Sequence, residues 1–589
     1  MRSETAVPAA LRERIDDERG TLPRRTGTGE RSMPWRLAGV TLGFLGMAGG
    51  AVPPAAAVPP AAESSAGTGT AGVVDGVRVP KLAWRACADA PSLQCATAEV
   101  PLDHSRPRGE TITLALARIP ATDQARRLGS LVVNRGGPGY SAVDYLNGIV
   151  AGALPSPVNS GVLARYDIVG VDPRGSGRST PAVRCFENPE EAEALARDVS
   201  NAPLTAAERR TRERADVRYA RLCRERSGDL LDHLSSVAIA RDLDLVRAAL
   251  GERRLNFLGQ SYGTYLGMVY ANLFTDRTGR FVFDSVLDPV RRDAGRPGTT
   301  KSARTGSDVA TLRTLREFFR LCAAGGERCA FGGGDPEAAF ERVMNALRKG
   351  PVPLRASDGT TVPLTYSFVL TWTGSWLYQP MFWNVQGGGA PFLKAVEEAI
   401  EDPSGPAGAA LAADVTLLRQ AGIGGTPYTS PITAAYHGVT CGEVDVPGSA
   451  RDLAQLAAER ARHAGPFGAL RAYEDSSCVP WRSANELRHE GPWNARTSEP
   501  VLIVNNAFDP ATPLWSARRV HGMLPNSRLL VNEGWGHVAA QQSTCVVEAT
   551  SRYLLDGTPP AKDATCRPDT VPFTGPAPAA PAPGSASPG

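Results

Sequence analysis

Short apolar runs, several of them followed by a glycine or an aspartate, recur in two separate parts of the chain. Residues 111–119 alternate apolar and polar positions, which predicts a strand with one solvated face. The other runs are almost continuously apolar, which predicts strands buried on both faces. These buried runs are 130–134, 166–171, 255–258 and 281–287 in the first part, and 500–504 and 527–531 in the second.

Helical periodicity appears between these runs. Residues 236–250 place Ile239, Leu243 and Val246 on one face of a helix, and 264–273 are predicted to form a second helix shortly after the apolar run 255–258. Short buried strands that alternate with helices predict an α/β fold, with a mostly parallel sheet covered on both faces.

The segment between the two parts has a different pattern. Residues 311–323, 335–348 and 451–464 are predicted helices, and strand signals are few. We therefore predict a sheet domain in two parts, 80–289 and 496–573, interrupted by a largely helical cap over 290–495. Such a cap is expected above the carboxyl ends of the strands, where open α/β sheets bind ligands.

Both ends of the chain differ in composition from the middle. Residues 1–57 are predicted to contain a signal peptide, with basic 33–36, apolar 37–52 and the alanines of 55–57, and 1–32 are interpreted as an over-extended start before Met33. The alternative is one membrane anchor, but the apolar run is glycine-rich and shorter than the ~18–20 residues a span needs. Residues 58–79 are predicted to be a disordered spacer and 574–589 a disordered tail.

Ten cysteines support export, because an even number spread along a chain suits disulfides in an oxidising compartment. None lies in a CxxC pair, so a zinc or thioredoxin site is not indicated. The simplest connectivity joins neighbours: Cys87–Cys95, Cys185–Cys223, Cys322–Cys329, Cys441–Cys478 and Cys545–Cys566.

Charge and ligand motifs narrow the classes of function. The formal net charge of +3 arises from 64 basic and 61 acidic residues, and no basic stripe suggests nucleic acid. No zinc-protease or EF-hand pattern is present, and 172–178 (DPRGSGR) lacks the third glycine of a dinucleotide loop and is interpreted as a strand-end turn. We expect no metal or cofactor, no nucleic-acid or stable membrane partner, and a peptide or small molecule as substrate.

Gly259-Gln260-Ser261-Tyr262-Gly263 matches the pattern G-x-S-x-G, which alone is common by chance. Here a buried strand precedes it and a helix follows it, which is the arrangement of a nucleophile elbow in the α/β-hydrolase fold. Ser261 is therefore the candidate nucleophile. The alternative is a glycine-rich turn with an incidental serine.

A serine needs a base and an acid, which follow the nucleophile in this fold on loops after later strands. His537 follows the run 527–531 and Asp509 follows 500–504, so they are the candidate base and acid. The alternatives are a solvated loop histidine for His537 and a turn aspartate before Pro510 for Asp509. Asp445 and Glu533 are rival acids.

An oxyanion hole needs two N–H donors, and the Tyr262 N–H is the first candidate. The glycine-rich loop 134–139 follows a predicted strand and supplies the second, with Gly137 preferred and Gly136 next. The alternative is a structural Gly-Pro turn.

Together these motifs resemble the secreted tripeptidyl and prolyl aminopeptidases of actinomycete type, within the α/β-hydrolases. The residues that carry the resemblance are 134–141 (NRGGPGYS), 166–179 (YDIVGVDPRGSGRS), 240–251 (ARDLDLVRAALG), 259–267 (GQSYGTYLG), 509–513 (DPATP) and 534–537 (GWGH). The resemblance spans roughly 80–573 and includes a C-terminal segment that ends at 572–573.

The resemblance implies cleavage of peptides near a free N-terminus through an acyl-enzyme on Ser261. Relatives often bind the amino group with carboxylates of the insertion, and Glu443 is the possible equivalent here; a solvated loop glutamate is the alternative. Arg135, where relatives often have His or Pro, and Trp535, beside the histidine, are further candidate substrate contacts. The main rival function is an esterase or amidase with an apolar pocket, and a non-catalytic binding protein is the second. Aromatic residues that form either a pocket wall or core are Trp372, Trp376, Tyr378, Phe382 and Trp383.

Overall fold

The computed structural model describes residues 72–293, 298–420, 427–430, 432–483 and 487–575. Its strands are β1 Val73–Val74, β2 Val77–Arg78, β3 Arg85–Ala86, β4 Gln94–Pro101, β5 Thr111–Ile119, β6 Gly129–Asn134, β7 Tyr166–Val171, β8 Leu255–Gln260, β9 Thr278–Asp284, β10 Val352–Arg355, β11 Thr361–Leu364, β12 Val501–Phe508, β13 Ser527–Trp535 and β14 Thr565–Cys566.

The α-helices of the same residues are α1 Ala142–Val150, α2 Ser160–Arg165, α3 Pro189–Ala196, α4 Ala206–Ser227, α5 Ser236–Ala249, α6 Tyr262–Leu273, α7 Pro289–Asp293, α8 Lys301–Thr305, α9 Ser307–Gly325, α10 Pro336–Arg348, α11 Tyr366–Trp376, α12 Gly389–Glu401, α13 Pro406–Gln420, α14 Thr433–Thr440, α15 Ala450–Tyr473, α16 Leu514–Met523 and α17 Thr544–Asp556. α15 breaks at Ala464 and Gly465, ahead of Pro466. The helix predicted over 451–464 ends at that break.

Ten of the described strands form one sheet in the order β14-β13-β12-β9-β8-β6-β7-β5-β4-β3. Neighbouring strands from β14 to β7 pair in parallel. The remaining pairs are antiparallel: β7 with β5, β5 with β4 and β4 with β3. This is the mostly parallel sheet predicted. The strand predicted over 281–287 is β9, but β9 ends at Asp284, because Ser285 takes a positive φ of 63° that turns the chain out of the sheet.

Alternating side chains of the central strands bury both faces of the sheet. On β6, Val132 packs into the cluster that also contains Phe257 and Leu266. Its neighbours Leu131 and Val133 belong to the opposite cluster, on the face covered by α1, α2 and α17. The strands therefore lie in the middle of the domain, and their carboxyl ends carry the loops.

The chain leaves the sheet after β9 and returns at β12, and the segment between them has its own apolar core. Phe318, Trp376, Trp383 and Phe392 are fully buried there. Trp376 and Trp383 thus pack in the core rather than forming a pocket wall. The antiparallel hairpin of β10 and β11 was not predicted, because its two strands are short and contain proline.

The described part of the predicted N-terminal spacer, 72–79, is ordered. Within 58–79, β1 and β2 pair as a hairpin, Val77 is buried, and Asp75 forms an ion pair with Arg277 (Oδ2 to Nη1, 2.8 Å). A buried valine and a long-range ion pair order a segment that composition alone marks as disordered. The predicted signal peptide, residues 58–71 of the spacer and residues 576–589 of the tail lie outside the described residues.

Five disulfides join the cysteines of the described chain in the neighbour pattern: Cys87–Cys95, Cys185–Cys223, Cys322–Cys329, Cys441–Cys478 and Cys545–Cys566. None of the described helices is both long and apolar enough to cross a bilayer.

A buried ion pair secures the turn after β7. The guanidinium of Arg174 contacts the Asp242 carboxylate on α5 at 2.7 Å through both Nε and Nη2, and His104 Nε2 lies 2.8 Å from the same carboxylate. Burial opposes the charged form of Asp242, but Arg174 and His104 hold its pKa below the ordinary value.

Arg174→Ala is expected to lower the free energy of unfolding by about 3–5 kcal/mol, because it leaves the Asp242 carboxylate buried without its cation. Urea denaturation with the disulfides intact measures the change. The control is Arg178→Ala in the same turn; Arg178 is 40% exposed and pairs with Asp89 and Asp144 on the surface, so a loss below about 1 kcal/mol is expected. Equal losses in the two variants would contradict the assignment.

Candidate active site

Ser261 lies in a sharp turn between β8 and α6. Its φ of 56° and ψ of −123° are strained for a residue with a side chain. The flanking glycines make this turn possible: a Cβ on Gly259 would lie 2.4 Å from the Gly263 carbonyl oxygen, and one on Gly263 would lie 2.6 Å from that of Asn134. The pattern G-x-S-x-G is thus required by close backbone contacts.

The glycine-rich loop after β6 lies against this turn. A Cβ on Gly136 would stand 2.5 Å from the Gln260 carbonyl oxygen, so only glycine allows the approach. The Gly136 N–H donates to Asn134 Oδ1 at 3.0 Å and is therefore engaged. Gly137, with a φ of 105°, lines the cavity that Ser261 and Tyr262 also line.

Asp509 and His537 follow β12 and β13, and their side chains meet. His537 Nδ1 lies 3.0 Å from each carboxylate oxygen of Asp509. The carboxylate, which is buried, also accepts the N–H groups of Ala511 and Thr512 at 2.9 Å and the Thr512 hydroxyl at 2.8 Å. These donors hold the carboxylate in one orientation toward the imidazole.

The loop that carries His537 is attached to the end of β9 by Asp284. The Asp284 carbonyl accepts the Ser261 N–H at 3.0 Å, and its carboxylate accepts the N–H groups of Ala539 and Ala540 at 2.8 and 3.0 Å. Burial raises the pKa of Asp284 to about 6, and the two N–H groups oppose that rise. One buried residue therefore connects the serine turn to the histidine loop, and it was missed because it lies inside a predicted strand.

A cavity of about 90 Å³ opens in front of Ser261. Its walls come from both parts of the sheet domain and from the segment between them, which supplies Tyr378, Tyr436 and four charged residues. The cations are Arg292, Lys301 and Arg471, and Glu474 is the only acid among the described residues that line it. The cavity wall therefore combines charged and polar groups with apolar ones.

The comparisons with known proteins cover both halves of this site. The family model "alpha/beta hydrolase fold" matches residues 129–316, and the model "TAP-like protein" matches residues 463–566. The tripeptidyl aminopeptidase of Streptomyces coelicolor is 31% identical over 491 residues, which cover 82% of this chain and 84% of that protein. The chain belongs to the tripeptidyl-aminopeptidase-like family of α/β-hydrolases.

Two further relatives have different names. The serine protease Hip1 of Mycobacterium tuberculosis is 29% identical over 496 residues, covering 80% of this chain and 87% of its own length. A protein of the same organism named carboxylesterase B is 31% identical over 560 residues, which cover 91% of this chain and 99% of that protein. This tripeptidyl-aminopeptidase-like chain is thus a serine hydrolase of the α/β-hydrolase fold.

Glu443 is not the solvated carboxylate that the loop alternative proposed. It is 1% exposed, its carboxylate accepts the backbone N–H and the hydroxyl of Ser236, and it pairs with Arg292 Nη2 at 2.9 Å. Glu443 does not line the cavity beside Ser261, and the guanidinium of Arg292 already compensates its charge. The lining carboxylate, Glu474, was missed because it follows a helix with no motif around it.

The other candidate contacts have structural partners. Arg135 lies over the rings of Tyr140 and Tyr145, at 5.2 and 5.5 Å from their centroids, and does not line the cavity. Trp535 is buried against Trp383 and donates to Glu317, so it packs in the core of the inserted segment and is not a cavity residue.

The rival acids lie elsewhere. Asp445 pairs with Arg488 at 3.1 Å, and Glu533 is half exposed and pairs with Arg567 at 3.5 Å. Among these carboxylates, Asp509 is the one that contacts His537.

Proposed function

We propose that this chain is a secreted serine aminopeptidase that cleaves peptide bonds near a free N-terminus. The observation that supports it most is the accessible carboxylate of Glu474, which the inserted segment places in the wall of the cavity beside Ser261. An ester-selective pocket would be mainly apolar, whereas a free ammonium group requires an acceptor with negative charge. The relative named tripeptidyl aminopeptidase agrees with this choice.

In the proposed reaction the Ser261 hydroxyl attacks the scissile carbonyl, and His537 takes its proton. Asp509 holds Nδ1–H of His537 and stabilises the imidazolium. The N–H groups of Tyr262 and Gly137 receive the oxyanion. His537 then protonates the leaving amine as the C–N bond breaks. In the second half-reaction His537 takes a proton from water, which attacks the acyl-enzyme carbonyl, and returns that proton to the Ser261 oxygen as the ester bond breaks.

Glu474 is the proposed ligand for the substrate amino group. Its side chain is 38% exposed, and its contact with Arg471 (Nη1 to Oε1, 3.2 Å) leaves carboxylate capacity for a second donor. Arg471 is itself held by Tyr378 and Thr311, so the carboxylate has a fixed neighbour. Glu443, by contrast, is enclosed and paired.

Glu474→Gln is expected to lower kcat/KM for free-amine peptides about 10–100-fold, mainly through KM, because a charge-assisted hydrogen bond to the ammonium is lost. Steady-state kinetics on paired peptides with free and acetylated N-termini measure the effect. Glu341→Gln is the control, since Glu341 is an exposed glutamate of the same inserted segment. An unchanged preference for the free amine in Glu474→Gln would refute the role.

A peptide-library profile of the mature protein, with free and acetylated N-termini, tests the function itself. Cleavage confined to free-amine peptides supports it, and no cleavage of any such peptide would reject it. Because one relative is named carboxylesterase B, the same protein should be assayed on acyl esters of matched size. Esters hydrolysed in the absence of any peptide cleavage would establish the alternative, an esterase or amidase acting on a small molecule.

Secretion is part of the proposal and is supported by the five disulfides, which form in oxidising compartments. N-terminal sequencing of the protein recovered from culture medium tests it. A mature terminus near residue 57 is expected, and retention of the intact chain in cells would argue against export.

A further inference from the structure

A second cavity, of about 510 Å³, opens where the first turns of α4 and α15 meet residues 473–482. It shares no lining residue with the cavity beside Ser261. Residues 471–476 separate the two: Arg471 and Glu474 line the active-site cavity, and Tyr473 and Ser476 line this one. None of the proposed catalytic groups reaches it.

Five arginines line this second cavity. They are Arg209, Arg210, Arg212, Arg451 and Arg482. The acids in its wall are Glu213 and Asp216, so cations exceed anions by three. The first turns of two helices also face this region, and helix N-termini carry partial positive charge.

Arg212 and Asp216 satisfy each other, which leaves four arginines beside one further wall carboxylate, Glu213. Arg212 Nε lies 3.2 and 3.1 Å from the two Asp216 oxygens, which also accept the hydroxyls of Tyr428, Ser476 and Ser477. Asp452, next to the cavity, is engaged by Ser449, the N-cap of α15.

The other four guanidinium groups have no carboxylate partner within the part of the chain that the structure describes. Those of Arg209 and Arg482 reach only backbone carbonyls, at Leu204 for the first and at Val479 and Trp481 for the second. Arg210 and Arg451 are exposed at the cavity. Four guanidinium groups without an ion-pair partner therefore surround one concave space, and Glu213 is the one other carboxylate among its described lining residues. We call this arginine-lined space the cationic recess.

We propose that this recess binds a ligand with two or more carboxylate or phosphate groups. Guanidinium groups bind both oxyanions in bidentate geometry, and several cations around one concavity concentrate their field there. The volume accommodates a ligand much larger than a single inorganic ion. The site is separate from the proposed catalytic function, and its binding is measured without turnover.

The test is isothermal titration calorimetry at low ionic strength with two probes, tripolyphosphate and the tricarboxylate citrate. Wild-type protein is expected to bind at least one of them saturably. Arg210→Ala combined with Arg451→Ala is expected to weaken that binding about tenfold, because two of the four free cations are removed.

The control removes the same charge elsewhere: Arg108→Ala with Arg462→Ala, two exposed arginines outside the recess, should leave binding unchanged. Tighter binding of tripolyphosphate assigns the site to phosphates, and tighter binding of citrate assigns it to carboxylates such as those of an acidic peptide. Equal weakening in both double variants, or no binding of either probe to the wild type, overturns the proposal.

Discussion

Ser261→Ala is expected to lose about a million-fold in kcat on any peptide that the wild type cleaves, because no other hydroxyl can form the acyl-enzyme. Residual turnover would come only from the oxyanion donors and from substrate binding. Alanine carries the same Cβ as serine, so the strained turn at this position should keep its conformation. Initial rates on a free-amine peptide amide measure the loss.

Intact-mass spectrometry with a fluorophosphonate gives an independent measurement of the nucleophile. Wild-type protein should gain one adduct and Ser261→Ala none. Ser375→Ala, which removes an exposed serine of α11, is the matched control and should retain both rate and labelling. Wild-type activity or labelling in Ser261→Ala would show that the nucleophile is another residue.

Asp509→Asn is expected to lower kcat about ten-thousand-fold, by disturbing the tautomer of His537. The backbone N–H groups of Ala511 and Thr512 donate to Asp509 Oδ1 at 2.9 Å in the wild type. In the variant they will donate to the amide oxygen, which therefore occupies the Oδ1 position. The amide NH₂ then faces His537 Nδ1, which must act as an acceptor. Its proton moves to Nε2, and the imidazole can no longer take the proton of Ser261.

Variants of the two rival acids, Asp445 and Glu533, provide the controls for that experiment. Asp445→Asn and Glu533→Gln should keep kcat within about twofold, because their carboxylates pair with surface arginines and do not contact His537. If either variant lost as much activity as Asp509→Asn, Asp509 would not be the acid.

Much of the sheet could be predicted because its signal is local. The runs that form β5 and β7 match the predicted strands residue for residue, since each run is bounded by turn residues and spans the sheet once. β9 was misplaced by three residues, because Val286 and Leu287 continue its apolar pattern after the strand has ended. Apolar residues are buried beyond a strand as well as within it, so composition does not show where pairing stops.

α4 and the hairpin of β1 and β2 were not predicted. α4 is rich in arginine and glutamate, and its buried face includes polar residues such as Arg212 and Asp216, so its pattern lacks a clear apolar stripe. The hairpin of β1 and β2 lies in a segment of low-complexity composition and is held by Arg277, which is about 200 residues away in the chain. Order that depends on distant partners leaves no local signal.

The proposed nucleophile, acid and base were identifiable from the sequence by order and spacing, because each follows a strand whose end is set by local pattern. The roles of the other carboxylates could not be identified from the sequence. No sequence motif distinguishes the carboxylates of Glu443, Glu474 and Asp284. In the structure Glu443 is paired with Arg292, Glu474 lines the cavity, and Asp284 connects the histidine loop to the serine turn. Those differences depend on burial and on partners far along the chain.

The sequence by itself therefore determined the fold class, the order of the proposed site residues and the glycines that the serine turn requires. Hydrophobic periodicity and turn chemistry act within a few residues, so they can be seen in a linear chain. The tertiary structure decided which charges remain available, at Glu474 and in the arginine recess. Whether a charged group is free depends on its desolvation and on the nearest opposite charge in space, and neither quantity is a property of neighbouring residues.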